Sequence, residues 1–314
     1  MSSPADRHHP VSPPLVICLG TLVADHTFWV EEIPEPPAKS TARAYSLGPG
    51  GLAANAAIAV ARLGGRAAFW GRIGDDLNGE PLAEALAAEG VDISALRRVK
   101  GARTPVSAVL VDRRGERTIL SFRGEGLDRD PSWLPLDALD DAAAFLCDPR
   151  WPEGAVAALE AALARGVPTV IDAEKSETRI LVDLVPRVDH AVFSAPGLQN
   201  FAPGVRPAEG LRRALAHGHT RVAAVTRGEE STLWMTRDDL ELRETPSFRV
   251  EATNTTGAGD VFHGAYALAV AEGQGVEAAM RFAAAAGALR ARDGRTPTRA
   301  MVEELLATGD AASV

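Results

Sequence analysis

The sequence predicts an α/β fold: a doubly wound, mainly parallel sheet that is flanked by helices and carries a small β lid. From residue 143 onward, short apolar runs alternate with longer alanine- and leucine-rich segments, as strands and crossover helices do. The chain of 314 residues is long enough for one such domain, which we expect at 15–314. Two extended stretches, at about 25–47 and 103–123, are expected to form the lid.

The first third of the chain supplies the elements that lead into the lid. Residues 15–19 are an apolar run that reaches Gly20, which predicts a central strand followed by a turn. The proline-rich sequence at 33–37 excludes a helix, so we expect an exposed flap there. The other elements predicted in this part are an alanine-rich, nearly buried helix at 52–63, a strand at 67–71, a helix at 81–89 and a hairpin of 104–111 with 117–122.

The remainder of the chain alternates strands and helices and then ends in helices. The predicted elements are, in order, 143–147, 154–165, 169–171, 191–193, 211–217 and 222–225. Their alternation favours parallel strands joined by crossover helices. Short runs at 231–235, 240–243 and 248–250 predict antiparallel additions, and three helices are expected to begin at Asp260, Val276 and Thr298.

Composition and charge favour chemistry on small molecules. The formal net charge of −9 opposes binding to nucleic acid or to an anionic membrane, because both require a positive protein surface. No apolar run is long enough to cross a bilayer, and residues 1–14 lack a signal-peptide pattern, so we expect a disordered tail on a cytoplasmic protein. Cys18 and Cys147 have no metal-ligand spacing and are expected to be buried thiols. We expect the tail histidines, His8 and His9, to be solvated, and we predict no metal site made by side chains.

Residues 254–264 read Asn-Thr-Thr-Gly-Ala-Gly-Asp-Val-Phe-His-Gly, a stretch of small residues directly before an apolar helix. The start of a helix offers unpaired backbone N–H groups and a partial positive charge, so Gly257, Ala258 and Gly259 could hold an anionic phosphate. Asp260 stands where its carboxylate could accept a proton from a hydroxyl aimed at that phosphate. The alternative is an aspartate that only caps the helix after a glycine-rich turn.

This stretch resembles the C-terminal signature of the ribokinase-like (PfkB) carbohydrate kinases. In that family the aspartate of the Gly-Ala-Gly-Asp run is the catalytic base, and the backbone before it forms an anion hole. The resemblance therefore implies a catalytic role for Asp260 and phosphate contacts by the loop from Thr256 to Gly259. It also implies ATP and Mg²⁺ as cofactors and a sugar as the small-molecule substrate.

A second stretch, at 50–64, resembles the N-terminal signature of the same family. The resemblance implies that Gly50 and Gly51 approach the sugar and that Asn55 hydrogen-bonds a sugar hydroxyl. An amide suits this role because it donates and accepts hydrogen bonds on one small face. The alternative is that Asn55 is a buried amide whose hydrogen bonds are satisfied by the backbone.

Further positions match the family at the ends of predicted strands. Asp25 follows the first strand, where the resemblance implies a carboxylate that binds sugar hydroxyls; otherwise it is a turn residue. Thr226 and Gly228 follow the strand at 222–225, where the resemblance implies contacts with ATP phosphates. Residues 71–79 resemble a family loop that lies beneath the sugar, and we expect a structural role for them.

The sequence departs from the family pattern at two places. Asn254 stands where the signature begins with an aspartate that helps to bind a monovalent cation in potassium-stimulated members, so the resemblance does not imply potassium activation here. The family's Asn-x-x-Glu element near magnesium corresponds to Ser-Ala-Pro-Gly at 194–197. We therefore expect Mg²⁺ to be held mainly by ATP phosphates and water, as this reluctantly dehydrated ion often is.

Finer features bear on the identity of the sugar. Three stretches resemble the sulfofructose kinase branch of the family, which phosphorylates the 1-hydroxyl of 6-deoxy-6-sulfofructose: 148–154, 189–198 and 259–265. A sulfonate requires positive charge, which on this resemblance Arg150 and Lys39 supply, while Ser121 stands where the branch has asparagine. The asparagine at position 55 resembles the residue of the generic sugar kinases more than that of this branch. The alternative is a fructokinase, ribokinase or ketodeoxygluconokinase in which Lys39 and Arg150 are ordinary surface charges.

Other classes of protein fit the sequence less well. Residues 48–53 match a GxGxxA dinucleotide fingerprint, but they do not follow the first strand, which opposes a dehydrogenase. A catalytically silent sugar-binding regulator is the alternative from another class, and the intact Asp260 opposes it. Because small, partly exposed sheets often pair with a second copy, we expect a homodimer formed through the lid.

Overall fold

The computed structural model describes residues 12–35 and 38–309, so the predicted tail at 1–14 lies outside the described residues as far as residue 11. The strands are β1 (Leu15–Thr21), β2 (Val23–Trp29), β3 (Ala44–Gly50), β4 (Arg66–Gly74), β5 (Val91–Asp92), β6 (Leu96–Val99), β7 (Val106–Val111), β8 (Arg117–Phe122), β9 (Ala144–Cys147), β10 (Thr169–Ala173), β11 (His190–Ser194), β12 (Val222–Thr226), β13 (Thr232–Thr236) and β14 (Arg243–Thr245). The α-helices are α1 (Leu52–Arg62), α2 (Gly79–Ala88), α3 (Pro152–Arg165), α4 (Thr178–Leu184), α5 (Ala195–Phe201), α6 (Pro207–Leu215), α7 (Ala258–Ala271), α8 (Val276–Asp293) and α9 (Arg299–Thr308).

Ten of these strands form one large sheet in the order β14-β13-β12-β11-β10-β9-β1-β4-β5, with β6 also paired to β4. Only β13 and β14 run antiparallel to their neighbours in it. Strand β1 lies between β4 and β9, so the chain winds one way from β1 and the other way from β9. This is the predicted doubly wound sheet, and its crevice for a ligand is expected at the carboxyl ends of β1 and β9.

Helices cover both faces of the large sheet. Alternate side chains of β1 point to opposite faces, as the two-residue period of a strand requires. Val16 and Cys18 pack in the cluster formed with α1, α2, α7 and α8. Ile17 and Leu19 pack in the cluster formed with α3, α4, α5 and α6. Cys18 and Cys147 are free and buried, as predicted.

The other four strands form a small sheet in the order β3-β2-β7-β8. Strand β2 begins two residues after β1 ends, so the small sheet starts at the carboxyl edge of the large one. Its register places Asp25, Ser107 and Ser121 side by side on one face. Leu120 and Tyr45 belong to the opposite face, which carries large exposed apolar side chains. This sheet has the strands predicted for the β lid.

Several elements differ from those predicted. Helices α4 and α5 were not expected, and they are only seven residues long each. Residues 240–242 are not in a strand: they follow a turn at 237–239, and β14 starts at Arg243, while 248–250 are not in a strand either. Asp239 causes this turn, because its carboxylate accepts hydrogen bonds from the backbone N–H of Glu241 and the guanidinium of Arg243. In the described part of the chain, no helix is both long and apolar enough to cross a membrane.

Candidate active site

Asp260 lies in the first turn of α7, next to the carboxyl edge of the large sheet. Its Oδ2 accepts a hydrogen bond of 2.7 Å from Asn55 Nδ2 on α1. Burial and the nearby charge of Asp172 raise the pKa of Asp260, the hydrogen bond from Asn55 lowers it, and the resulting value is about 7. A carboxylate with this pKa takes up and releases a proton near neutrality, as a general base must.

The loop before Asp260 presents free backbone N–H groups at the start of α7. Gly257 takes the left-handed conformation (φ 75°), and no side chain caps the helix. The Ala258 N–H is used, since it donates to Thr255 O at 3.2 Å, whereas Gly257 and Gly259 donate to no acceptor in the described part of the chain. A Cβ added to Gly259 would meet open space. Two of the three predicted N–H groups are therefore available to an anion.

Thr256, in the same loop, has an Oγ1 that is buried without a hydrogen-bond partner among the described residues. Its N–H donates to the side-chain oxygen of Asn254 at 2.9 Å, which fixes the turn. A buried hydroxyl without a partner is uncommon in a folded protein and suits a site that a ligand oxygen completes.

Asp25 and the glycine pair meet at the start of α1. A Cβ added to Gly50 would overlap the carboxylate of Asp25, so only glycine allows this close approach. Gly51 has φ 106°, and a Cβ there would overlap the backbone oxygen of Thr21. Burial raises the pKa of Asp25 to about 6, while a hydrogen bond from Ser107 lowers it. Asp25 can therefore accept hydrogen bonds from hydroxyls at this edge.

Asn55 connects the two predicted motifs. It lies one turn into α1, and its backbone N–H donates to Gly51 O at 2.9 Å. Its side chain reaches Asp260, which is 205 residues away in sequence. The partly buried Asn55 amide is thus paired with a carboxylate, whereas the alternative interpretation had the backbone satisfying it. Asp25, Gly50, Gly51, Asn55 and Asp260 form one connected group.

Three residues were predicted to lie near an anionic substituent of the sugar, and they differ in how close they are to the group around Asp260. Arg150 follows β9, where its N–H donates to Asp148 Oδ1 at 2.8 Å and its Nη1 to Lys175 O at 3.0 Å. Ser121 Oγ lies 3.4 Å from Oγ of Ser107, the residue that hydrogen-bonds Asp25. Lys39 is exposed, and the described residues show no contact between it and this group.

The residues predicted to contact the nucleotide lie at the carboxyl end of β12. Thr226 Oγ1 donates to Phe193 O at 3.4 Å. Gly228 has φ 65°, and a Cβ added there would meet nothing within 4 Å. An open, positive-φ glycine at the carboxyl edge of a parallel sheet is suited to contact with a phosphate.

Comparison with known proteins identifies the family. The model of the pfkB family of carbohydrate kinases matches residues 13–299. The chain belongs to this family. It is a sugar kinase whose named relatives include ribokinases and fructokinases.

Two curated relatives cover most of the chain. Ribokinase of Bacillus subtilis (strain 168) is 30% identical over 270 residues, which cover 82% of this chain and 87% of the relative. Fructokinase-1 of Oryza sativa subsp. japonica is 30% identical over 319 residues, which cover 93% and 96%.

Solved structures share the fold. A crystal structure from Agrobacterium tumefaciens has a TM-score of 0.89 and 33% identity, covering 94% of this chain and 98% of that one. Ribokinase of Arabidopsis thaliana complexed with ribose and ATP has a TM-score of 0.80 and 24% identity, covering 94% and 99%. The ribokinase-like fold of this sugar kinase is thereby confirmed.

The sugar kinase has a buried aspartate in its site that no sequence pattern singled out. Asp148, at the end of β9, is fully buried. Its Oδ2 accepts from the backbone N–H groups of Thr21 and Ala53, each at 3.3 Å, and its Oδ1 accepts from Arg150. It therefore fixes the end of β1, the start of α1 and the turn that carries Arg150. The sequence signal that could have indicated a role for Asp148 was its position directly after the apolar run at 144–147.

A buried pair of ionisable side chains, Asp172 on β10 and His263 on α7, lies beneath the first turn of α7. The Nδ1 of His263 is 2.7 Å from Gly259 O and 3.3 Å from Asp172 Oδ2, and its Nε2 is 3.1 Å from Val192 O. Burial raises the pKa of Asp172 and lowers that of His263. The imidazole thus lies between Gly259, strand β11 and strand β10, and in its neutral form it can donate to one of the two carbonyl oxygens.

The family implies a magnesium ion with the nucleotide. The described residues include no group of three histidine, cysteine, aspartate or glutamate side chains that could hold a metal. They fit an ion that arrives bound to nucleotide phosphates, because the N–H groups and the unpaired Thr256 hydroxyl are suited to those phosphates.

Proposed function

We propose that this sugar kinase transfers the γ-phosphate of ATP to a primary hydroxyl of a sugar, with Asp260 as the base. The observation that carries the proposal is the half-buried Asp260 carboxylate, held by Asn55 at 2.7 Å beside the free N–H groups of Gly257 and Gly259. The sugar oxygen forms a bond to the γ-phosphorus while the bond to the bridging oxygen of ADP breaks. The proton of the hydroxyl passes to Asp260, and ADP leaves.

The other residues of the site position the two reactants. The N–H groups of Gly257 and Gly259 stabilise charge on the transferring group, as preorganised donors do most effectively where water is excluded. Thr256, Thr226 and Gly228 bind the phosphates of ATP. When bound, magnesium supplies positive charge that neutralises those phosphates.

On the sugar side, Asp25, Gly50, Gly51 and Asn55 bind the hydroxyls of the acceptor. Closure of the small sheet over them would exclude water and limit ATP hydrolysis.

Relatives support ATP as the phosphate donor. The Arabidopsis thaliana ribokinase structure contains ribose and ATP, and a fructokinase structure from Xylella fastidiosa contains ATP. Both share the fold of this chain at a TM-score of 0.80. A kinase of the same family with free N–H groups at the start of α7 is expected to use the same donor.

The test is Asp260→Asn, measured by ADP release and by calorimetric sugar binding. The variant keeps an acceptor for the hydrogen bond from Asn55, so sugar binding should stay within about threefold of wild type, while kcat should fall by about 10³ or more. Wild-type turnover in this variant would contradict the assignment of the base.

For the acceptor we propose 6-deoxy-6-sulfofructose, phosphorylated at its 1-hydroxyl. Support comes from Arg150, which follows β9 in the chain. Its guanidinium forms no ion pair with a described residue, so its positive charge is available to an anion. Ser121 is linked through Ser107 to Asp25 and can donate a further hydrogen bond. Lys39 offers no such support, because it contacts none of these residues. Fructose, ribose and ketodeoxygluconate are the alternative acceptors.

A sugar panel with Arg150→Met tests this choice. If the acceptor is sulfonated, kcat/KM for sulfofructose should exceed that for fructose by about 10² or more, and Arg150→Met should remove most of the difference. The variant should leave the low activity on fructose unchanged, which serves as the internal control. Preferred turnover of fructose or ribose by the wild type would overturn the sulfofructose proposal without affecting the kinase proposal.

We also propose that two copies of the chain associate through the outer face of the small sheet. This face is apolar and exposed: Leu120 is 75% exposed and Tyr45 53%. Leu47 and Phe122 on the same face are exposed as well. The face points away from Asp25, so a second copy could cover it without blocking the sugar.

A further inference from the structure

Arg290 lies in the last turn of α8 and reaches the loop that begins α7. A Cβ added to Gly257 would lie 3.6 Å from Nη2 of Arg290, 3.7 Å from its Nε and 3.7 Å from Nδ2 of Asn55. The guanidinium therefore lies beside Gly257, on the side where a side chain at that position would project. It also lies near the amide that holds Asp260. No sequence pattern had assigned a role to Arg290.

The charge of Arg290 is not neutralised by an ion pair in the described part of the chain. Among the described residues it makes a weak polar contact, 3.5 Å from Nη1 to the backbone oxygen of Asn254. Burial lowers the pKa of Arg290, the charge of Asp260 raises it and that of Arg117 lowers it. Since the charge of Asp260 raises the pKa of Arg290, the charged guanidinium and the ionised carboxylate favour each other.

We propose that Arg290 is a positioning residue, a fixed positive charge behind the phosphate-binding loop that keeps Asp260 ionised and the loop in place for the transferring phosphate. The inference rests on the proposed function, with Asp260 as the base. A guanidinium suits the position because it stays charged when partly buried, whereas an ammonium loses its proton more readily.

The other charged groups near Asp260 do not supply this charge. Asp172 and Glu174 both raise the pKa of Asp260, and only His263 lowers it electrostatically among the other causes. Burial disfavours the charged form of His263. Arg117 reaches the same loop from β8, where it donates to Thr255 Oγ1. Arg290 is thus a permanently charged side chain beside both Gly257 and Asn55, the residue that hydrogen-bonds the Asp260 carboxylate.

A cavity of about 200 Å³ adjoins the guanidinium and makes the inference testable by chemical rescue. Arg290, Asn55 and Gly257 line this cavity, as does the exposed Arg295. A shortened or neutral side chain at 290 would leave room for a guanidinium ion from solution. Arg295 offers a matched control, because it borders the cavity without reaching the loop.

The experiment compares Arg290→Met and Arg290→Gln, which lose the charge, with Arg290→Lys, which keeps it. Both neutral variants should lower kcat about tenfold at pH 7 and move the acid limb of the kcat–pH profile up by about one pH unit. KM for the sugar should change less than about twofold. Millimolar guanidinium chloride should restore at least a third of kcat in Arg290→Met. Arg290→Lys, which keeps the charge less securely, should shift the acid limb less than the neutral variants do, and Arg295→Met should keep the wild-type profile.

An unchanged acid limb in either soluble neutral variant would overturn the inference, as would a loss of kcat that guanidinium does not restore. Such a loss with an unchanged limb would indicate a structural role only. Failure of the proposed function is recognised separately: Asp260→Asn would then retain turnover and an acid limb. If Asp260→Asn is inactive while Arg290→Met behaves as wild type, only the inference about Arg290 fails.

Discussion

Asp260 shows how one residue meets opposing requirements. Burial next to Asp172 favours its neutral form, while the hydrogen bond from Asn55 favours the ionised form. The balance brings the pKa to about 7, well above the ordinary value of 3.8. A base is most effective when its pKa lies near the working pH, because it is then both ionised and a good proton acceptor. Its environment therefore matters as much as its identity.

The pH dependence of the wild-type reaction follows from this pKa. Below about pH 7, Asp260 takes up a proton and cannot accept another, so kcat/KM for the sugar should fall about tenfold per pH unit on the acid side. Initial rates between pH 5 and 9, at saturating magnesium and nucleotide, measure the pH at which kcat/KM begins to fall. A fall centred near pH 4 would mean that burial does not raise the pKa of the base as described.

The same pKa predicts a gain in stability when the base is removed. Since the folded-state pKa lies above the unfolded one, the folded protein prefers the protonated carboxyl, and stability from this group is lost as pH rises from about 4 to about 7. Asp260→Asn stays neutral, so its Tm at pH 8 should exceed that of the wild type by about 3 °C. Calorimetry at pH 4 is the control, where the two proteins should differ little. A lower Tm for the variant at pH 8 would refute this account.

At this scale the sequence predicted some contacts and not others. Asn55 and Asp260 belong to two motifs that resemble one family, which is why both could be singled out although they lie 205 residues apart. Arg290 and Asp172 lie in ordinary helix and strand patterns. Their roles depend on how α8 packs on α7 and how β10 lies under it, and no local spacing encodes that packing.

Among the elements, the turn from β3 to α1 joins two glycines that are needed for different reasons. At Gly50 a side chain would overlap the end of a flexible side chain, the carboxylate of Asp25. At Gly51 it would overlap backbone, the oxygen of Thr21, at a positive φ. Motion of a carboxylate is easier than motion of a strand end, so the two positions should respond differently to the same change.

Substitution of each glycine by alanine separates these effects. Gly50→Ala should displace the Asp25 carboxylate and raise KM for the sugar about tenfold, with a change in Tm below about 2 °C. Gly51→Ala should lower the free energy of unfolding by about 2–4 kcal/mol, because both φ and the contact with Thr21 are unfavourable. Urea unfolding and sugar kinetics on both variants provide the comparison, and each variant is the control of the other. Equal losses of stability would contradict the assignment of Gly50 to the sugar site.

The elements that the sequence predicted share strong periodicity or clear ends. Helix α1 was recognised from its alanine-rich run, and α2 from the glycine that follows it. Helices α4 and α5 escaped because seven residues give barely two turns of pattern. Helix α5 does carry a local signal, since Ser194 Oγ accepts from Gly197 N–H at 3.0 Å and Pro196 occupies the first turn. That stretch had been interpreted as a departure from a family motif and as part of the resemblance at 189–198, but not as the start of a helix.

For the whole molecule, the reversal of winding explains why the site forms where it does. The chain leaves β1 and β9 in opposite directions along the sheet, so a crevice forms at the carboxyl ends of these two neighbouring strands. The small sheet adjoins this crevice. Asp148 closes the base of this crevice by binding the N–H groups of Thr21 and Ala53. The order of elements predicted this layout from sequence. The contact of Arg117 with Thr255, which joins the small sheet to the phosphate-binding loop, was not predictable because it depends on how the sheets meet.

The outer face of the small sheet makes a prediction about assembly. If a second copy covers it, a charge at its most exposed apolar position should separate the copies, because burying an unpaired carboxylate is strongly unfavourable. Leu120→Asp should therefore shift the protein from dimer to monomer in sedimentation velocity at about 10 µM. Leu77→Asp is the matched control: Leu77 is 95% exposed but lies between β4 and α2 and is not part of the small sheet. A wild-type monomer, or equal effects of the two substitutions, would mean that the apolar face is not where copies meet.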